Sequence, residues 1–275
     1  MTFKIPNFLL FFQMTAFAAL LTTAQVSNCA TYPLPPEDID LIGESFYITA
    51  KANETLLEVG RRYGVGYREM QLANPNVDMW VPGEGTQILI PTQFILPPGP
   101  RSGVVLNVAE MRLYYFPPTK KGTLPVVTTF PVSIGRMDWD TPLGNTRIVS
   151  KIPNPAWHPP QSIRDEHAED GEELPAVVPP GPDNPLGQFA MRLGIPGYLI
   201  HGTNRPDGVG MRVTHGCVRM FPEDIEYFFG IVSVGTSVRI INQPYKAGWL
   251  ADTLYLEAHP LLEDENTHVA FKNFV

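Results

Sequence analysis

The sequence predicts a mainly β protein with a small α+β module ahead of its main domain. Proline (29) and glycine (23) punctuate the 275 residues often enough to disfavour a helical bundle and to favour short strands joined by turns. From Gly103 onward, β-branched and aromatic runs alternate with turn residues. Between Phe46 and Pro91 the pattern changes to two short helical stretches enclosed by two strand-like runs.

The amino terminus reads as an address. Met1–Asn7 carries one base, Lys4, and no acid, and Phe8–Leu21 is almost wholly apolar. Fourteen helical residues span roughly 21 Å, short of the ~30 Å hydrocarbon core. Small and polar residues follow up to Ala30, so residues 1–30 are expected to be a secretory signal peptide cleaved near Ala30. An uncleaved anchor and a lipoprotein signal acylated on Cys29 are the competing readings. No later segment is apolar enough to cross a membrane, so stable membrane insertion is not expected. The net charge of −8 disfavours a nucleic-acid surface. With cysteines only at 29 and 217, a disulfide scaffold and a multi-thiolate zinc site are excluded.

Residues 44–92 form the expected module. Phe46-Tyr47-Ile48 suits a strand, and Thr55 with Glu58 three residues on has the form of a capping box. Leu56, Val59 and Tyr63 share one helical face, and Gly64 stops that helix. Tyr67–Ala73 gives a second helix ended by Asn74-Pro75, and Gln87–Pro91 a closing strand. Residues 93–102, with Pro97-Pro98-Gly99-Pro100, read as a stiff linker.

In the main domain, 103–242, Val104–Val108 and Arg112–Phe116 suggest a hairpin, with Val126–Phe130 and then Val132–Ile134 continuing a meander. Thr146–Ile152 and Tyr198–Ile200 suit further strands, and Val238–Ile241 is expected to close the domain. Pro222, Glu223 and Asp224 suit the first turn of a helix whose buried face is Ile225, Phe228 and Phe229 and whose end is Gly230. The proline- and acid-rich stretch from Asn154 to Pro185 reads as a long loop or lid beside a site. His158 and His167 within it lack the spacing of a metal site. Residues 243–275 read as a tail with one strand, Thr253–Glu257.

The chemistry concentrates in Ile200-His201-Gly202-Thr203 and Thr214-His215-Gly216-Cys217-Val218-Arg219-Met220. A thiol needs a base to react at neutral pH, and histidine has a suitable pKa. Gly216 lets backbone approach a substrate closely, and amide N–H groups there can stabilise an oxyanion.

These residues resemble a family. His-Gly-Thr, a spacer, then Thr-His-Gly-Cys-Val-Arg-Met is similar to the signature of the L,D-transpeptidase catalytic domain of the YkuD type. The likeness extends through "GVVLNVAEMRLYYFP", "DTPLGNTRI" and "PAVVPPGPDNPLGQFAMRLGIPGYLIHGT". The stretch from Asn53 to Pro91 resembles a LysM module, with Asn53 where glycine is usual and Gly60 inside the first helix, both expected to weaken it. Together they resemble periplasmic enzymes that attach the Braun lipoprotein to peptidoglycan.

The resemblance implies Cys217 as nucleophile on the meso-diaminopimelate–D-Ala bond of a tetrapeptide stem and His201 as proton acceptor and donor. It implies Gly202 as orienting carbonyl, and His215 and Gly216 at the acyl site. Arg219, Arg212 and Tyr198 are candidates for substrate binding, against structural roles for each. The implied partners are stems, glycan and the lipoprotein's C-terminal lysine as acceptor, with no cofactor and no metal. Direct 3→3 cross-linking and L,D-carboxypeptidase activity remain open, as does a wall-binding protein without catalysis. Carbapenems inhibit the family, so adduct formation separates the last from the rest.

Overall fold

The computed structural model describes residues 30–262. The expected leader with Cys29, and the end of the tail from residue 263, lie outside them. The described residues begin with β1 (Ala30–Pro33) and β2 (Leu41–Ile42). The small module then runs β3 (Ser45–Thr49), α1 (Leu56–Arg62), α2 (Tyr67–Ala73) and β4 (Gln87–Pro91), with β3 and β4 antiparallel. The Thr55–Glu58 capping box forms in both directions. Leu56, Val59, Val65, Met70, Ile88 and Ile90 make a separate small core. Gly60 is not the weak point its position predicts: a Cβ there would lie 2.8 Å from Met70 Cγ and from the Val65 carbonyl, so close packing requires glycine. Asn53 takes a left-handed φ of 59°, which asparagine tolerates better than most residues.

The expected linker is no free spacer. It holds β5 (Phe94–Ile95), paired with β2, and Phe94, Ile95 and Leu96 are buried. The module is also fastened to the main domain. Arg61 forks onto Glu223 at 2.7 and 2.8 Å, and the fully buried Arg112 forks onto Glu69 at 2.7 Å twice. The first N–H groups of α2, Tyr67 and Arg68, donate to the carbonyls of Val209 and Gly210, supplying partners that a helix start otherwise lacks.

The main domain contains β6 (Gly103–Asn107), β7 (Arg112–Phe116), β8 (Val126–Pro131), β9 (Ile134–Gly135), β10 (Gly144–Pro153), α3 (Gln161–Glu169), β11 (Phe189–Leu193), β12 (Leu199–His201), β13 (Arg212–Thr214), β14 (Val218–Arg219), α4 (Pro222–Ile231) and β15 (Ser237–Ile241). The main sheet has nine strands in the order β1-β8-β7-β6-β15-β10-β11-β12-β14. β15 is the last strand of the main domain in chain order, as expected, and it sits mid-sheet, parallel to β6 and antiparallel to β10. Two expectations need correction. β9 does not continue the meander; it leaves the sheet and pairs in parallel with β13. The lid segment contains a helix, α3, rather than loop alone. Ile225 and Phe228 of α4 pack into the main core with Leu106, Ile148, Met191 and Ile200. The tail also holds more than one strand: β16 (Tyr245–Leu250) and β17 (Thr253–Ala258) form a hairpin. Lys246 buries its ammonium under this hairpin, 2.7 Å from Glu110 and 2.9 Å from Glu257.

Candidate active site

β12 and β14 run in parallel, with Ile200 opposite Val218 and His201 opposite Arg219. Side chains alternate along a strand, and Ile200 and Val218 point into the core. His201 and Arg219 therefore share the other face, and Cys217, just before β14, lies with His201 under the charge of Arg219. The β-branched and aliphatic residues around them supply the alternation that builds this edge of the sheet.

His201 is 5% exposed, and its Nδ1 lies 2.7 Å from the Gly202 carbonyl oxygen. A carbonyl only accepts, so Nδ1 carries the proton and Nε2 keeps its lone pair. Burial, and then the positive charge of Arg219, push the ring's pKa down to about 3, against the Gly202 hydrogen bond. At neutral pH the ring is an uncharged base. Cys217 is partly exposed, and its thiol donates to the Gly197 carbonyl at 3.7 Å. Burial pushes this thiol up; a hydrogen bond from the Leu199 backbone and the charge of Arg219 oppose that. Thiol and imidazole thus both rest neutral.

The turn before Cys217 is held from several sides. Thr214 Oγ donates to the Cys217 carbonyl at 2.6 Å, and Thr141 Oγ to the Gly216 carbonyl at 2.9 Å. Gly216 has φ +95°, and a Cβ there would meet Tyr198 Cε1 at 2.7 Å, so the turn and the tyrosine ring both demand glycine. Tyr198 is partly buried against the main core with its ring edge on this turn. His215 Nε2 lies 3.0 Å from Glu166 Oε2 on α3, and its ring meets Trp139 edge-on at 5.3 Å. Glu166 also pairs with Arg136. Burial lowers the pKa of His215, and Glu166 works against that; the Arg136 hydrogen bond is the first cause holding Glu166 below the usual carboxylate range.

The two arginines part company. Among the described residues no carboxylate pairs with Arg219, and its buried Nε has no hydrogen-bond partner. Its backbone is clamped to Ser133 in both directions. Arg212, expected at the substrate, is engaged elsewhere: its side chain is 5% exposed, and it donates to the Leu262 carbonyl at 2.6 Å and meets Asp140 at 3.3 Å. A guanidinium so placed is occupied by protein groups on every nitrogen.

The metal-capable side chains that come together among the described residues are Glu110, Glu257 and His259, not His158 or His167. The Lys246 ammonium already fills that cluster. The sequence reading missed Glu166, Arg136, Trp139 and Thr141. A weak signal for α3 was present: ten residues free of proline and glycine, 161–170, directly after Pro159-Pro160.

The profile of the YkuD L,D-transpeptidase catalytic domain matches residues 101–240. This chain belongs to the L,D-transpeptidase family. It is 45% identical over 245 residues to the protein named probable L,D-transpeptidase ErfK/SrfK of Escherichia coli (strain K12), covering 88% of this chain and 77% of that one. It is 43% identical to probable L,D-transpeptidase YcfS of the same strain over 88% of this chain and 75% of that one. A third relative there, probable L,D-transpeptidase YbiS, is 42% identical over 89% and 81%. The enzyme is an L,D-transpeptidase and its substrate class is peptidoglycan. Among the described residues, no helix is long and apolar enough to cross a membrane.

Proposed function

We propose that the enzyme works in the periplasm, after signal-peptide removal near Ala30, and acylates Cys217 with a peptidoglycan tetrapeptide stem. The register that sets His201 beside Arg219, with Cys217 just before β14 and under the same guanidinium's charge, carries this reading. Sγ attacks the carbonyl of meso-diaminopimelate as His201 Nε2 takes the thiol proton. The oxyanion is met by the amides of Gly216 and Cys217, with His215 beside them. His201 returns its proton to the amine of D-Ala as the C–N bond breaks, leaving a thioester. An acceptor amine then attacks, gives its proton to His201, and Cys217 leaves and is reprotonated. Gly202 holds the ring throughout, in the place of a triad carboxylate. No cofactor enters these steps.

Arg219 is the guanidinium that takes a stem carboxylate, and Tyr198 forms one wall of the donor groove. The acceptor is the C-terminal lysine of the Braun lipoprotein. Residues 44–92 act as a LysM unit on the glycan, and their fastening to the main domain sets a constant distance between glycan and thiol. The test is incubation with disaccharide-tetrapeptide, with and without a peptide ending in lysine, read by mass spectrometry. The expected products are free D-Ala and a stem–lysine conjugate. Tripeptide alone would establish the carboxypeptidase, and a stem–stem dimer alone the 3→3 cross-linker.

A further inference from the structure

The acid-rich segment from Asn154 to Pro185 touches the site through α3. α3 meets the catalytic turn through one carboxylate with two partners. Glu166 Oε1 pairs with Arg136, just past β9, and Glu166 Oε2 lies 3.0 Å from His215 Nε2. Arg136 is tied to the same turn by its backbone, whose N–H donates to the Thr214 carbonyl at 3.0 Å. The opposite end of α3 carries no such contact: Gln161 bonds Asp165, and Arg164 bonds Gln161, within the helix surface. The charged groups that act on His215 are Glu166 and His167 from α3 and Arg136 from beyond β9, with the Trp139 ring against its edge.

From this we infer that Glu166 is a positioning residue for acyl transfer: it fixes the ring of His215 from across the site and, with Arg136, clasps α3 over the turn that carries Cys217. A carboxylate accepts only, so Nε2 of His215 must hold a proton to make the contact. That selects one tautomer, with Nδ1 unprotonated while the ring is neutral. The ring cannot then turn over without losing a charge-assisted hydrogen bond. Arg136 keeps Glu166 ionised and in place, so the clasp persists across neutral pH. The argument rests on His215 lining the acyl site of a Cys217 enzyme, and its test keeps that premise separate.

The test is a double-mutant cycle on the full chain with Glu166→Gln and His215→Gln, with acylation by a carbapenem followed by intact mass over a concentration series. Ring-opening adds the whole β-lactam to the protein, so the saturating rate and the half-saturating concentration are read separately. Glu166→Gln is expected to lower the saturating rate about 10-fold and to shift half-saturation less than 3-fold. In the His215→Gln background the same change is expected to cost less than 2-fold, since the carboxylate acts through that ring. The side-chain nitrogen resonances of His215 should show its pKa falling in Glu166→Gln, with His201 unmoved. Asp165→Asn, one position along α3 on the helix surface, serves as the folding and charge control and is expected to acylate at the wild-type rate. Wild-type acylation by Glu166→Gln, or full multiplication of the two effects in the double variant, would overturn the inference. If Cys217→Ala still formed the adduct, the premise would fail instead of the clasp.

Discussion

His201 in β12 and His215 in the turn before β14 belong to one motif, yet the two regions hold their rings by different means. His201 is buried and tied to the carbonyl of the next residue, so its tautomer is set by backbone that no side-chain substitution removes. His215 is half-buried and tied to a carboxylate on a helix 49 residues away in the chain. Burial lowers both pKa values, but only His215 has a negative partner to work against it. The proposed base is thus built into the sheet, while the second ring depends on α3.

The largest effect is expected at the sheet-held ring. His201→Gln should slow carbapenem acylation by about 10²–10⁴-fold at pH 7, the range for loss of a general base, against about 10-fold for His215→Gln. Comparable losses in the two variants would erase the distinction. Arg219→Lys tests the charge beside the base. It keeps a cation but loses the planar fork, so the KM for tetrapeptide should rise about 10-fold with kcat within 3-fold. Arg212→Lys, whose fork meets Leu262 and Asp140, should instead lower Tm and leave KM alone.

The pH profile separates the two rings without mutation. Because His201 titrates near 3 and the Cys217 thiol is pushed up, the acylation rate should show no acid limb from His201 around pH 6.5. A limb at that pH, retained in His215→Gln, would place a charged imidazole at position 201 and contradict the neutral pair.

The smallest expected effect lies away from both rings, at Asp224. It is fully buried at the start of α4, its Oδ2 has no hydrogen-bond partner among the described residues, and burial raises its pKa to about 8. The folded state holds this proton where the unfolded chain, with an ordinary aspartate, has released it. The associated stability is complete below about pH 4 and is lost as pH rises toward and through about 8. Asp224→Asn should therefore raise Tm by a few degrees at pH 8 and leave it unchanged at pH 4, as scanning calorimetry would show.

The same contrast explains what was legible. The module's helices, the β6–β7 hairpin, β12 and α4 follow from local periodicity and caps, which are properties of neighbouring residues. The motif brought His201, Cys217 and Arg219 forward because the chemistry sits on adjoining strands. Glu166 and Thr141 reach the site from 49 and 75 residues away, and Arg136 meets Glu166 across 30, where no spacing rule applies. β15 was legible as a strand but its central place was not, because an apolar strand reads alike at an edge or in the centre. The tail hairpin was obscured by Lys246, an inward-facing charge that breaks the alternation of β16 and finds its partners in Glu110 and the Ile95 carbonyl, far along the chain, and in Glu257.

The central claim, that the thiol at 217 becomes the acyl carrier, is tested most directly by the intact mass of the mature protein after exposure to a carbapenem, alongside Cys217→Ala. One drug mass added to the wild type and none to the variant is the predicted result. An adduct that survives in the alanine variant, or a folded wild type that takes up nothing, would contradict it.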